Sequence, residues 1–83
     1  MTKQEFLDAY TQCLNDAVLQ YPDEYAFPLN QTPVVAYRMM QAIERKSYNK
    51  DSRALKTMSK RYGFKFTYQG INEFYSKLNQ EVA

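Results

Sequence analysis

Side chains able to do chemistry are few in this chain. It contains no histidine and one cysteine, Cys13. That removes Ser-His and Cys-His nucleophilic catalysis, any intrachain disulfide and nearly all zinc sites. Cys13 falls on an apolar stripe with no basic neighbour in sequence, so it reads as a buried, unreactive thiol. Asp23 and Glu24 are an adjacent carboxylate pair, but neighbours on a turn or helix point apart. Nothing sets an acid against a base there. Ser47, Ser52 and Ser59 all lie among lysines and arginines. A Ser-Lys nucleophile requires a desolvated lysine, and these lysines sit on a polar face. Gly63 and Gly70 are the only glycines, so no glycine-rich loop can cradle a phosphate. No acidic run has the spacing of a calcium loop. The expectation is a non-enzyme with no cofactor and no metal.

The charge distribution is the most informative feature. Residues 1–33 carry one base, Lys3, against five acids, whereas residues 34–83 carry ten bases against four acids. Within residues 38–65 there are nine bases and two acids. The overall formal charge of +2 conceals this division. A dense basic segment is the footprint of a polyanion partner, or else a solvated face that keeps a small domain soluble.

At 83 residues, 45% hydrophobic and 24% charged, the chain is expected to form one domain, 1–83, with a small core. No stretch approaches the ~20 apolar residues that span a bilayer, and no apolar leader opens the chain. A soluble protein without membrane contact is expected, cytoplasmic, or in the host-cell cytoplasm if phage-encoded.

The elements that must position these side chains are helical. Thr2 and Glu5 form a capping-box pattern, after which Phe6, Tyr10, Cys13, Leu14, Ala17, Val18 and Tyr21 recur at helical spacing. Pro22 ends this helix, giving a span of about 3–20. Residues 21–32 are too aromatic for a free linker and should pack on the core. Thr32-Pro33 reads as a cap and first helical residue. The second helix, about 33–46, turns Val35, Ala36, Met39, Ala42 and Ile43 inward. Asn49 or Asp51 is expected to cap the third helix, about 52–62, with Ala54, Leu55, Met58 and Tyr62 inward and Gly63 as its left-handed stop. Thr67 should cap the fourth helix, about 68–80, with the stripe Ile71, Phe74, Tyr75, Leu78 and Val82. Residues 64–68 also alternate as a strand would. The expected fold class is all-α, a compact bundle of four helices with a helix-turn-helix-like C-terminal half. Its core should hold Phe6, Tyr10, Leu14, Val18, Met39, Ile43, Leu55, Met58, Tyr62, Phe64, Ile71, Phe74 and Leu78.

Residues 52–79 form an amphipathic helix, a glycine turn and a second amphipathic helix. Small Ser59 stands four before Gly63, and apolar Phe64 follows the glycine. This stretch resembles the helix-turn-helix of small phage- and plasmid-type DNA-binding proteins. The inward residue usually found six after the glycine is polar Gln69 here, and Ile71 stands eight after. Phe64-Lys65-Phe66-Thr67 is therefore a longer turn. The resemblance implies that the fourth helix enters the major groove by its N-terminal end. Thr67, Tyr68, Gln69 and Asn72 would then contact bases, the two amides being suited to adenine edges. Arg53, Lys56, Lys60, Arg61 and Lys65 would contact the phosphate backbone, which positions without reading sequence. Gly70 would let a backbone come close, whether from the third helix or from DNA.

Duplex DNA is thus the expected partner, in a regulatory role such as transcription regulation, with a homodimer on two half-sites as one arrangement. Two alternatives stay open. Tyr37, Tyr48 and Tyr68 lie among the bases and suit stacking on single strands or RNA. The same surface suits a phage-type module or inhibitor acting by protein–protein contact, where tyrosine is enriched.

Overall fold

The computed structural model describes residues 1–79. Among them are four α-helices: α1 (Lys3–Gln20), α2 (Thr32–Glu44), α3 (Arg53–Tyr62) and α4 (Tyr68–Ser76). A single 3-10 turn, Leu29–Gln31, leads into α2. The helix α1 packs against both α2 and α3, and α2 also meets α4. The 12.2 Å radius of gyration is near the ~12 Å expected of a folded chain this long.

Local chemistry starts and stops these helices. The Thr2 hydroxyl accepts from the Glu5 amide at 3.1 Å, and the Glu5 carboxylate accepts from the Thr2 amide at 3.2 Å. The expected capping box is therefore complete. Gly63 ends α3 in the left-handed conformation, φ 78°, where its amide donates to the Ser59 carbonyl. Thr67 caps α4 by accepting from the Gly70 amide at 2.9 Å.

Elsewhere the ends differ from expectation. Thr32 does not cap α2 but is its first residue. Its side chain is buried, within hydrogen-bonding distance of Asn15 and the Leu29 carbonyl. Asn49 and Asp51 do not cap α3. Asn49 accepts the Asp51 amide within the preceding turn, and Ser52 is the cap residue. The helix α2 stops at Glu44 because Lys46 turns left-handed, φ 55°, while the Ser47 amide reaches back to the Ala42 carbonyl. This is a Schellman closure with lysine where glycine is usual. The helix α4 stops at Ser76. The chain then turns so that the Asn79 carbonyl accepts from the Lys3 amide at 3.1 Å, tying it to the start of α1. The expected end of this helix at residue 80, and Val82 of its stripe, lie outside the described residues. Residues 64–67 form a turn rather than a strand, and Tyr68 opens α4.

Phe6, Tyr10, Leu14, Ile43, Leu55, Met58, Ile71 and Leu78 are buried as expected. Ala36, Met40, Ala54 and Tyr75 join them. Val18, Met39, Phe64 and Phe74 are only half-buried, and Tyr62 is 38% exposed. The core side of α2 runs through Thr32, Ala36, Met40 and Ile43, so Met40 takes the place expected for Met39. Tyr25 and Phe27 pack against the core, with their rings edge to face, and hold the α1–α2 connection down.

One polar contact ties three elements together. The Tyr75 hydroxyl donates to Glu44 at 2.7 Å, and Lys3 donates to the same carboxylate oxygen at 3.1 Å. These hydrogen bonds hold the Glu44 carboxyl below its ordinary pKa.

Candidate nucleic-acid interface

The helix α3 sets its basic side chains outward by burying Ala54, Leu55, Met58 and Ser59. Buried Ser59 donates back to the Lys56 carbonyl at 2.7 Å, so its hydroxyl is satisfied inside the helix. Lys56, Lys60, Arg61 and Lys65 are all exposed. None of the four has an ion-pair partner among the described residues.

Arg53 differs. Its Nε and Nη2 donate to the two carboxylate oxygens of Glu24 at 2.8 and 3.0 Å. Its guanidinium also lies over the Tyr21 ring, 3.9 Å from the centroid. A planar fork held by a carboxylate has the geometry it would offer a phosphate. Arg53 is therefore already engaged, by the acidic connection between α1 and α2.

The acidic first helix flanks the basic third one. Asp16 and Gln20 share a groove with Lys56 and Lys60. Glu5 and Asp8 line a shallow depression with Arg61. The charge division along the sequence thus becomes a side-by-side arrangement in space.

Past Gly63, the Phe64 ring stacks on Phe74 with centroids 4.5 Å apart. Lys65, Thr67, Gln69, Glu73 and Lys77 surround a groove over this aromatic pair. Gly70 accommodates a close backbone, but that backbone is the turn itself. A Cβ at position 70 would lie 2.4 Å from the Lys65 carbonyl oxygen.

The first turn of α4 is open to solvent at Thr67, Tyr68 and Gln69, with Tyr68 50% exposed. Gln69 and Asn72 do not stand as an equivalent pair. Gln69 lies on the groove side and donates its amide NH2 to Glu73 at 3.0 Å. Asn72 is half-buried on the other side, where its Oδ1 accepts from the Tyr48 hydroxyl at 3.0 Å. Each amide therefore has one half engaged internally and would have to release it to pair with both groups of an adenine edge.

Sequence reasoning missed the neighbours that complete this surface. Tyr48 meets Tyr68 edge to face at 5.3 Å. Lys50 lies over the rings of both Phe66 and Tyr68, at 5.3 and 5.8 Å. The α2–α3 loop is thereby pinned against the start of α4. The only sequence signal for it was the placing of Tyr48 and Lys50 among the bases.

No group of metal-ligating side chains occurs among the described residues, and no described helix is long and apolar enough to cross a membrane. No family model matches the chain, and neither a curated protein nor a solved structure matches it.

Proposed function

We propose that this protein binds nucleic acid, with duplex DNA as its target, through α3, the following turn and α4. A regulatory or accessory role in the cytoplasm follows from that reading. The observation that carries it is the set Lys56, Lys60, Arg61 and Lys65. All four are exposed and lack an ion-pair partner among the described residues, and Lys65 lines a groove with Thr67 and Gln69 at the start of α4. Unpaired cations on one unit are what a phosphate backbone neutralises. Three features support a helix-turn-helix-like use of the unit. Ser59 is buried, Gly63 is left-handed, and Thr67 caps a helix whose first turn is exposed.

A second reading has its own observation. Exposed Tyr68, with Tyr48, Phe66 and Lys50 around it, suits stacking of an unpaired base. A mobility shift with random duplex, single-stranded DNA and RNA separates the two. The duplex should shift most, and the double reversal Lys56→Glu/Lys60→Glu should abolish the shift. Stronger retardation of single strands would favour the stacking reading. No retardation of any of the three would leave protein–protein contact as the function.

A further inference from the structure

We propose that Tyr48, which lies outside α4, sets the base preference of Asn72 by occupying its carbonyl oxygen, so that this position selects guanine over adenine. The inference rests on α4 entering the major groove as proposed above. Adenine presents a donor, its N6 amino group, beside the N7 acceptor, and an asparagine pairs with it by offering oxygen and NH2 together. Here the oxygen is taken. The Tyr48 hydroxyl donates to Asn72 Oδ1 at 3.0 Å, while the Tyr68 carbonyl lies farther from that hydroxyl, at 3.4 Å. The phenol is held in place, because its ring is half-buried and packs edge-on against Tyr68. A phenol ionises only near pH ~10, so this hydroxyl is a proton donor at neutral pH.

The free half of Asn72 is its NH2, which has no hydrogen-bond partner among the described residues. Two N–H donors match guanine, whose major-groove edge offers the N7 and O6 acceptors side by side. Against adenine the same NH2 meets the N6 amino group donor to donor, and burying unpaired donors is costly. Gln69 is engaged in the opposite sense. Its NH2 is donated to Glu73, which leaves the Gln69 oxygen and the Glu73 carboxylate as acceptors. Acceptors suit the N4 amino group of cytosine. The helix therefore offers a donor on one side and acceptors on the other, a pattern that fits G·C pairs. Tyr48 acts as a positioning residue: it touches no base and works through the orientation of the amide.

The test begins with selection of a preferred site from a random duplex pool by the wild-type protein. The base read by Asn72 is the one whose preference Asn72→Ala erases. At that base the wild type should bind guanine about tenfold more tightly than adenine. Tyr48→Phe keeps the ring and its packing but releases Oδ1. It should bring the two bases to near parity while leaving the melting temperature almost unchanged. Asn72→Asp offers acceptors alone and should move the preference to cytosine, which keeps the test sharp should the phenylalanine variant fold poorly. A wild-type preference for adenine, or an unchanged ratio in Tyr48→Phe, would overturn the inference. So would a pool that enriches no sequence; if salt-dependent binding persists in that case, the phosphate interface stands without base reading. Absence of any duplex binding removes both.

Discussion

Two buried tyrosines and one clamped arginine show how individual side chains govern this molecule. Burial pushes the Tyr10 hydroxyl up to about 12, despite its 3.1 Å bond with Ser52. Tyr75 is raised as well, by burial and then by donation to Glu44. A raised pKa in the fold means that the stability tied to the protonated form is whole below the unfolded value of ~10. It is lost as pH rises from there through the folded values. Tyrosinate absorbance followed against pH beside circular dichroism should show Tyr10 and Tyr75 ionising late, together with loss of helix. All eight tyrosines titrating near the ordinary value with the helices intact would contradict their burial. Arg53 supports a different prediction. Its fork is already filled by Glu24, so Arg53→Ala should weaken duplex binding less than Lys60→Ala does. In a Glu24→Gln background the Arg53→Ala loss should grow several-fold, measured as Kd at fixed salt. Equal losses in the two backgrounds would mean that Glu24 does not compete with phosphate. Sequence showed that Arg53 was basic and outward, but not its partner, which stands 29 residues away and is reached only when the connection folds back.

Three helix ends set by adjacent chemistry were legible, whereas the caps of α2 and α3, the stop of α2 and the end of α4 were not. Thr2 with Glu5, Gly63 and Thr67 all announce themselves within a few residues. The end of α4 depends instead on Asn79 meeting the start of α1, which no local pattern encodes. The inward side of α2 was read one residue off, because Met39 and Met40 are equally apolar. Rotation of the helix is decided by its packing on α1 and α4. Its left-handed stop was missed because lysine occupies a position that favours glycine. Left-handed backbone costs an L-residue ~1–2 kcal/mol, so Lys46→Gly should stabilise the fold by ~0.5–1 kcal/mol after the added flexibility of the unfolded chain. Gly70→Ala should act the other way, by ~1–3 kcal/mol, since its new methyl would meet a backbone oxygen that cannot rotate aside. Urea midpoints of the two variants test both signs. A destabilised Lys46→Gly or a neutral Gly70→Ala would contradict the geometry of those turns.

At the scale of the whole molecule, the division of charge along the chain is folded into contact. The acidic α1 and the connection after it lie beside the basic α3, with Asp16 facing Lys56 and Lys60 across a groove and Glu24 on Arg53. Three of the bases, Lys3, Lys50 and Arg53, are taken up in ion pairs among the described residues, while Lys56, Lys60 and Arg61 of α3 and Lys65 of the turn into α4 have none. That Lys56, Lys60 and Arg61 point outward from α3 was legible from spacing. The loop carrying Tyr48 and Lys50 was not, because it reaches α4 only through the tertiary fold. The central claim is that Lys56, Lys60, Arg61 and Lys65 neutralise phosphates. The most direct measurement is the affinity of the wild-type protein for duplex DNA across a range of salt. Four phosphates neutralised predict a slope of log K against log salt of about −3.6. A slope near zero, or no binding to duplex at ~50 mM salt, would contradict the account.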